Sequence, residues 1–291
     1  MHCFVSGASG YVGRALTSAL LNRGDSVIAQ YRRGQVPAGA NSLQHDFHEP
    51  LPRLELEGVD AVYHLAGIAH QRASAEEYEA LNVRAASDMA QLALESGTQH
   101  FVLVSSVLAG RPDQAGNLSY GRSKALAEAG VRRVLGASSV NLHIVRPALV
   151  YSDDAPGHLA LLRGWCQRHL PRPPDLGGRS MIAREDLVEL LLLLSERSAI
   201  PGRDLPLVAS DGEIYTARRM YDAFAKSAGV RPWLPSPPDF AWRFGCSVLD
   251  LIQGEEAGAF WHRFAAEEVY EPQGLKDVGF RTSLTLETTL R

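Results

Sequence analysis

Short apolar runs alternate with helical patterns along the first half of this chain. The strand-like runs read HCFVSG, SVIAQY, SLQHD, DAVYHLAG, HFVLVSS and NLHIVRP, and helical patterns follow around 76–96 and from about 120. Such alternation predicts βαβ units, in which helices cover both faces of a parallel sheet. We therefore expect an α/β fold built on a doubly wound parallel sheet.

The first helix has the clearest pattern. Its apolar residues recur with helical spacing at Val12, Ala15, Leu16, Ala19 and Leu20. Gly24 stands where a glycine in the left-handed conformation would end the helix. We expect the apolar face of this helix to pack against the sheet.

The pattern changes after the segment VRPALVY at 145–151. Proline and glycine become frequent, as in PRPPDLGGRS, and the regular alternation lapses. A helical stretch at about 184–197 and the strand-like DLPLVAS then resume it. We therefore predict a main domain from 1–151 plus about 181–210, and a smaller C-terminal domain from about 152–180 plus 211–291.

Composition narrows the classes of protein that fit. The 291 residues are 45% hydrophobic, which supports a sizeable core, and the formal net charge is −4 with the arginines scattered along the chain. No basic tract could neutralise a phosphate backbone, so nucleic acid is not an expected partner.

Cysteine spacing and the lengths of the apolar runs indicate where in the cell the protein is expected. Cys3, Cys166 and Cys246 are far apart and lack CxxC spacing, so neither a disulfide framework nor a metal site is indicated. The chain opens on a strand-like run rather than a signal peptide, and its longest apolar run, LVELLLLL at 187–194, is too short to span a bilayer. We expect a soluble cytoplasmic protein without a membrane partner.

Three glycines follow the first predicted strand and open the first helix. The segment GASGYVG places them at Gly7, Gly10 and Gly13. Glycines there permit a tight turn, let a pyrophosphate approach the amides at a helix N-terminus, and allow the helix to pack closely on the sheet. The sequence therefore predicts a dinucleotide-binding loop of the Rossmann type, the alternative being three turn glycines without a ligand.

The second predicted strand ends in QYRR, Gln30 to Arg33, and lacks the acid that commonly binds the ribose hydroxyls of NAD. A carboxylate would repel the 2′-phosphate of NADP, whereas Arg32 or Arg33 could pair with it through a planar guanidinium. This ending favours NADP, with NAD as the alternative if both arginines are only solvated.

The segment YGRSK places a phenol and an ammonium four positions apart, at Tyr120 and Lys124. Four residues return a helix to nearly the same face, so both side chains are expected to point into one site. A phenol with an ordinary pKa of roughly 10 supplies little phenolate at neutral pH, and a neighbouring ammonium would lower that pKa. Tyr120 is thus a candidate general acid–base and Lys124 the residue that tunes it.

These motifs together resemble the extended branch of the short-chain dehydrogenase/reductase superfamily. They are GxxGxxG, HDF at 45–47, HLAG at 64–67, VLVSS, YGRSK and IVRPALVY at 144–151, and the resemblance covers nearly the whole chain. It implies a Ser–Tyr–Lys mechanism in which Ser106 donates a hydrogen bond to the substrate oxygen. Ser105 is the alternative, because the loop after this strand is shorter than is usual in the family.

The resemblance also implies which residues contact the cofactor. Asp46 would accept from the adenine amino group, Lys124 would hydrogen-bond the nicotinamide ribose, and Pro147 would face the nicotinamide carboxamide. The full set implied by motif position is Gly7, Gly10, Tyr11, Val12, Gly13, Arg32, Arg33, Asp46, Phe47, Leu65, Ala66, Gly67, Lys124 and Pro147.

Two further residues are candidates for substrate binding. GRSMIAREDLVELLLLL resembles a segment of nucleotide-sugar epimerases and reductases in which an arginine meets the diphosphate, which makes Arg179 a candidate ligand or else a solvated arginine. His70, just beyond HLAG, either faces the substrate or is an ordinary loop residue. Homodimers formed through helices that flank the sheet are common in the resembled family.

We predict an NAD(P)-dependent oxidoreductase or epimerase that acts on a carbinol or keto carbon of a nucleotide sugar. The short segment between Ser106 and Tyr120 suggests less enclosure of the nicotinamide, which favours net reduction over epimerisation. One alternative is an NADP-dependent reductase of a non-nucleotide carbonyl, of the dihydroflavonol-reductase or hydroxysteroid-dehydrogenase kind. The other is a non-catalytic dinucleotide-binding sensor, although such relatives typically lack the tyrosine.

Overall fold

The alternating pattern corresponds to a series of strands and helices in the computed structural model of this chain. The structure describes residues 1–68, 73–111, 119–197, 205–231, 237–253, 256 and 258–290. Over these residues the strands are β1 His2–Ser6, β2 Ser26–Tyr31, β3 Asn41–Gln44, β4 Ala61–His64, β5 His100–Val104, β6 Asn141–Pro147, β7 Leu149–Tyr151, β8 Arg179–Ala183, β9 Leu207–Ala209 and β10 Ile214–Tyr215.

Helices follow most of these strands. They are α1 Tyr11–Arg23, α2 Ala75–Tyr78, α3 Ala85–Glu95, α4 Tyr120–Leu135, α5 His158–Gln167, α6 Arg184–Leu194, α7 Ala217–Ser227, α8 Asp239–Gln253, α9 Ala259–Ala265 and α10 Leu286–Thr289. A π-helical turn, Glu79–Arg84, joins α2 to α3, and a short 3₁₀ turn, Val107–Gly110, follows β5. None of the helices in the described ranges is long and apolar enough to cross a membrane.

Seven of the described strands form one parallel sheet. Their order is β3-β2-β1-β4-β5-β6-β9, and every neighbouring pair is parallel. The chain builds outward from β1 in one direction and then returns to build outward in the other, which confirms the predicted doubly wound fold. In such sheets, ligands bind beyond the carboxyl ends of the strands at the point where the order reverses, here between β1 and β4.

Helices α3 and α4 pack against one another and cover one face of this sheet. Met89 from α3 and Val131 from α4 are fully buried in one cluster with Phe4, Phe101 and other strand residues. Burial of such side chains is the main stabilising contribution to the fold. This packing holds the start of α4 close to the end of β5.

Helix α1 ends as the sequence predicts, because Gly24 adopts φ of +90° and its N–H caps the last turn. Its most buried positions, however, are Gly13, Leu16, Thr17 and Leu20, whereas Val12, Ala15 and Ala19 are only half-buried. The small residues Gly13 and Thr17 lie on the buried face because the helix packs very closely on the loop before it. The spacing of the apolar residues alone could not show how α1 is rotated about its own axis.

Contacts divide the chain into two compact units. The first comprises Met1–Ala148, Arg184–Ala209 and Pro272–Arg281, and the second comprises Leu149–Ala183, Ser210–Glu271 and Thr282–Arg291. The second unit contains a small sheet in the order β10-β8-β7. Tyr151 and Tyr215 both donate to the same oxygen of Asp211, at 3.0 and 2.7 Å, and so join β7 to β10.

Candidate active site

A tight turn at the three predicted glycines joins β1 to α1. Gly7 has φ of +69°, and the Gly10 N–H donates to the Gly7 carbonyl at 2.9 Å. A Cβ on Gly13 would lie 2.2 Å from the Gly7 oxygen, and one on Gly7 would lie 2.9 Å from the Ala66 nitrogen. Gly10 caps α1 without a side-chain hydrogen bond, so no capping side chain covers the backbone N–H groups of the first turn of this helix. The turn and these N–H groups form a cradle of backbone atoms. This cradle fits the pyrophosphate of a dinucleotide.

Gln30 holds the glycine loop in place, a role that the sequence did not reveal. Its Oε1 accepts from the Gly7 N–H at 2.9 Å, and its Nε2 donates to the His45 carbonyl at 2.6 Å. Its own carbonyl accepts from the Ala8 N–H at 2.8 Å. The only signal in the sequence was a polar residue in the mostly apolar run SVIAQY, and the structure shows that this residue is buried.

The loop that follows β2 lies beside the glycine loop. Arg32 and Arg33 are both exposed, and a Cβ built on Gly34 would lie 3.6 Å from the Ser9 Cβ. The two arginines therefore extend from a backbone that touches the loop expected to bind pyrophosphate. Their guanidinium groups are accessible to an anionic ligand.

Asp46 and Phe47 follow β3 in different environments. The Asp46 carboxylate is about half exposed, and His48 contacts it through both its N–H and its Nδ1, at 3.2 and 2.8 Å. Partial burial would raise the pKa of Asp46, but the hydrogen bonds from His48 outweigh it and lower that pKa. Phe47 packs its ring edgewise against His64.

Buried His64 lies at the carboxyl end of β4. The Ser6 Oγ accepts from the N–H groups of Leu65 and Ala66 and lies 3.0 Å from the His64 Nδ1. The serine hydroxyl proton is thus left for Nδ1, which places the imidazole proton on Nε2. Burial, together with the charge of Lys124, lowers the pKa of His64 to about 3, so the ring is neutral.

Tyr120 begins α4, and the structure brings it together with Ser106. Ser119 caps the helix by accepting from the Arg122 N–H, and the Ser106 hydroxyl hydrogen-bonds the Tyr120 phenol. Burial raises the pKa of this phenol to about 12, and the Ser106 bond only partly opposes the effect. The prediction that Lys124 lowers the pKa of Tyr120 is therefore wrong for the chain by itself.

Lys124 lies one turn after Tyr120, on the same side of α4, and is buried. Its Nζ donates to the Val104 carbonyl at 3.0 Å, and a Cβ on Gly67 would lie 3.5 Å from it. Burial lowers the pKa of Lys124 to about 8, while the charge of Glu128 opposes this shift. The ammonium thus sits between the carboxyl ends of β4 and β5.

Ser105 and Ser106 have different partners. The Ser105 hydroxyl donates to the Glu128 Oε1 at 2.6 Å, and Arg146 binds both oxygens of the same carboxylate at 2.8 Å. The structure therefore directs Ser105 away from Tyr120 and Ser106 towards it. Sequence reasoning missed Glu128 and Arg146, although Glu128 repeats the four-residue spacing of Tyr120 and Lys124.

Asn82, in the π-helical turn, is a second site residue that the sequence did not reveal. Its Oδ1 accepts from the Ile68 N–H at 2.7 Å, and its Nδ2 donates to the Ser123 Oγ at 2.8 Å. A Cβ on Gly67 would lie 2.7 Å from its Oδ1. Asn82 thus ties the segment after β4 to α4 between Tyr120 and Lys124.

The remaining candidates have varied placements. The Arg184 guanidinium lies 5.0 Å from the centroid of the Tyr11 ring, Val12 is half-buried in the first turn of α1, and buried Pro147 ends β6.

Arg179 belongs to the second unit, where it pairs with Glu268 at 2.8 Å. His70 lies outside the described residues. Within the described ranges, no group of three or more His, Cys, Asp or Glu side chains could hold a metal ion.

Comparisons with known proteins agree with this geometry. A model of the NAD dependent epimerase/dehydratase family matches residues 3–197. A UDP-glucose 4-epimerase of Vibrio cholerae is 24% identical over 284 residues, covering 86% of this chain and 84% of the relative. A 4-hydroxy-2-methyl-3-oxo-4-farnesyl-3,4-dihydroquinoline-1-oxide ketoreductase of Stigmatella aurantiaca is 28% identical over 253 residues, covering 79% and 74%.

Solved structures share the fold. MoeE5 in complex with UDP-glucose and NAD superposes with a TM-score of 0.74 at 21% identity, covering 100% of this chain and 97% of that one. The Bordetella bronchiseptica enzyme WbmG in complex with NAD and UDP superposes with a TM-score of 0.77 at 18% identity, covering 99% and 92%. At these identities the likeness shows the fold alone.

Proposed function

Because this chain belongs to the NAD dependent epimerase/dehydratase family, in the extended branch of the short-chain dehydrogenase/reductase superfamily, we propose that it is an NADP-dependent reductase of a keto carbon in a nucleotide sugar. Tyr120 is the general acid, Ser106 orients the reacting oxygen and Lys124 supplies positive charge. Cofactor, substrate and direction of reaction rest on separate observations.

The proposal of net reduction rests on the short segment between Ser106 and Tyr120, which suggests less enclosure of the nicotinamide and so easier exchange of the cofactor, and the protonated Tyr120 phenol is compatible with it. With a pKa of about 12, this phenol holds its proton at neutral pH. Reduction of a ketone requires a proton donor beside the carbonyl oxygen, whereas oxidation of an alcohol requires a base there. The protonated phenol can therefore supply the proton that reduction of a ketone requires.

Each of the three side chains has a distinct part in the reaction. The Ser106 hydroxyl, hydrogen-bonded to Tyr120, can donate to the carbonyl oxygen while negative charge develops on it. Tyr120 then gives its proton to that oxygen. Lys124, whose ammonium donates to the Val104 carbonyl beside the carboxyl ends of β4 and β5, would hydrogen-bond the nicotinamide ribose, as the resemblance to the family implies. When bound, the reduced nicotinamide supplies the hydride that adds to the carbonyl carbon.

The preference for NADP rests on the loop after β2. Exposed Arg32 and Arg33 extend from the backbone beside Ser9, where a 2′-phosphate can meet them once the pyrophosphate occupies the glycine cradle. The segment from Gln30 to Arg33 contains no carboxylate that would repel this phosphate.

The nucleotide-sugar substrate rests on likeness to relatives. The Vibrio cholerae relative is a UDP-glucose 4-epimerase, and the MoeE5 and WbmG structures contain UDP-glucose or UDP. The Stigmatella aurantiaca relative and a 2-alkyl-3-oxoalkanoate reductase of Stenotrophomonas maltophilia, 28% identical over 336 residues, support a second candidate, reduction of a non-nucleotide ketone.

A cofactor-consumption assay tests the proposal. Freshly purified protein is denatured, the released nucleotide is identified by mass spectrometry, and NADPH oxidation is followed with a UDP-4-keto-hexose or a 2-alkyl-3-oxo acid. We expect stoichiometric NADPH oxidation with the nucleotide sugar and little retained cofactor. Tightly retained NAD, with interconversion of UDP-hexoses and no net cofactor oxidation, would instead identify a 4-epimerase. Turnover of the 3-oxo acid alone would identify the second candidate.

A further inference from the structure

A single buried carboxylate joins three segments of the candidate active site. The Glu128 side chain is only 1% exposed and lies two turns after Tyr120 on α4. Its Oε1 accepts from the Ser105 hydroxyl at 2.6 Å and from the Arg146 Nε at 2.8 Å. Its Oε2 accepts from the Arg146 Nη2 at 2.8 Å and from Arg132 at 3.4 Å.

Two of these partners directly precede candidate site residues. Ser105 directly precedes Ser106, and Arg146 directly precedes Pro147 at the end of β6. Helix α4 itself carries Tyr120 and Lys124. The carboxylate therefore holds the ends of β5 and β6 against the helix that bears the general acid.

The turn after Ser106 is enclosed by the same contacts. A Cβ on Gly110 would lie 3.3 Å from the Arg146 Nη1, and one on Gly121 would lie 2.7 Å from the Leu108 carbonyl oxygen. The 3₁₀ turn Val107–Gly110 is thus packed between the Arg146 guanidinium and the first turn of α4. A shift of Ser105 would be transmitted to Ser106 through one peptide unit.

A buried ion pair of this kind adds little net stability but fixes the geometry of the segments that it joins. Burying a carboxylate costs several kcal/mol, and bidentate pairing with a guanidinium roughly offsets that cost. Apolar residues of similar volume would often give equal stability. Directional hydrogen bonds, by contrast, fix distances between the segments that they join, and a displacement of about 1 Å at a reacting group can cost roughly 100-fold in rate.

We propose that Glu128 is a positioning residue that sets the distance between Ser106 and Tyr120 by acting through Ser105 and Arg146. This inference rests on the proposed reductase function, since its catalytic consequence requires that Ser106 and Tyr120 act on the substrate. Its structural part, that Glu128 orders the segment 105–111, can be measured on the protein without any substrate.

The first test is a double-mutant cycle between Ser105→Ala and Glu128→Gln. We expect kcat for NADPH oxidation with a UDP-4-keto-hexose to fall about tenfold in Ser105→Ala and about 100-fold in Glu128→Gln. The reason is that Ser106 would no longer be held at a fixed distance from Tyr120. The double variant should lose no more than Glu128→Gln, since both changes remove one shared contact. NADPH affinity, measured by fluorescence titration, should change less than about threefold.

Two exposed residues provide matched controls. Glu95→Gln in α3 and Ser18→Ala in α1 make the same chemical changes at exposed positions and should leave kcat unchanged. A merely structural role for Glu128 would lower the melting temperature and reduce cofactor affinity and kcat together. Additive losses in the cycle would overturn the shared contact.

Hydrogen exchange of the cofactor-free protein provides the second test. Amides of 105–111 should exchange faster in Glu128→Gln and Ser105→Ala than in wild type and in both controls. If Glu128→Gln does not fold, Ser105→Ala decides the outcome, because it leaves the Glu128–Arg146 pair intact. Unchanged exchange and unchanged kcat in a folded variant would overturn the proposal. Faster exchange, with Tyr120→Phe still fully active, would instead overturn the proposed reaction and leave the ordering role intact.

Discussion

The Ser106 hydroxyl hydrogen-bonds the Tyr120 phenol, joining the end of β5 to the first residue of α4. These residues are 14 positions apart in the chain, and the segment between them includes residues 112–118, which lie outside the described ranges. The turn after β5 packs against the first turn of α4, and this packing brings the two residues together.

Replacing Tyr120 with phenylalanine should remove at least about 100-fold of kcat, because general acid catalysis typically contributes roughly 10²–10⁴-fold. NADPH affinity should remain nearly normal, since the ring is retained. The measurement is steady-state NADPH oxidation, with fluorescence titration of the cofactor. A phenylalanine variant that turns over its substrate at the normal rate would refute the assignment of Tyr120.

Removing both arginines after β2 should abolish the proposed preference for NADP. The Arg32→Ala, Arg33→Ala double variant should bind NADPH at least about tenfold more weakly, because it loses charge-assisted contacts to the 2′-phosphate. NADH affinity should change little. Calorimetric titration of wild type and variant with both cofactors measures this, and Arg133→Ala, an exposed arginine on α4, is the control. Tighter binding of NADH by wild type would contradict the prediction.

The rate of reduction should fall on the alkaline side as Lys124 loses its proton. Its pKa is lowered to about 8, so the ammonium is present below that pH and is lost as the pH rises through it. The titratable groups that interact with this amine are Glu128 on α4 and the neutral His64 on β4. A profile of kcat/KM between pH 6 and pH 10 measures this alkaline decline in rate. Because the charge of Glu128 favours the ammonium form of Lys124, Glu128→Gln should move this decline in rate to lower pH. A decline at the same pH in the variant would argue against the coupling between Glu128 and Lys124.

The glycine loop should not tolerate a methyl group at Gly13. Because the new Cβ would lie 2.2 Å from the Gly7 carbonyl oxygen, Gly13→Ala should displace the loop and weaken NADPH binding at least about tenfold. Gly164→Ala in α5 is the matched control, since nothing lies within 4 Å of its Cβ position. That change should leave binding intact and add up to about 1 kcal/mol to stability through helix propensity. Normal NADPH binding by Gly13→Ala would contradict the assigned loop.

Local sequence patterns predicted the fold and the positions of several candidate site residues. The strands, the glycine loop and the shared face of Tyr120 and Lys124 follow from spacing along the chain, which is a local property. Gln30, Asn82 and Glu128 could not be assigned in this way, because their roles depend on partners brought together by the fold. The Ser105 hydroxyl and the Arg146 guanidinium meet Glu128 only after β5, β6 and α4 have packed together.

The pKa of Tyr120 shows a different limit of sequence reasoning. The spacing to Lys124 correctly placed both groups on one side of α4, but it gave no measure of burial. Burial raises the pKa of the phenol, and the ammonium points to the Val104 carbonyl. The sign of such a shift depends on the balance between desolvation and charge, which only the folded arrangement determines.

The edge strand of the large sheet has a consequence for how the protein is made on the ribosome. Strand β9 pairs with β6 through residues Leu207–Ala209, and Gln273 in turn pairs with Val208 through two backbone hydrogen bonds. A nascent chain that has emerged only as far as Ala148 therefore exposes the free backbone groups of β6, and that edge is covered only when residues 207–209 follow, about 60 residues later. Exposed strand edges recruit other chains, so this interval is when the growing polypeptide most needs chaperone protection.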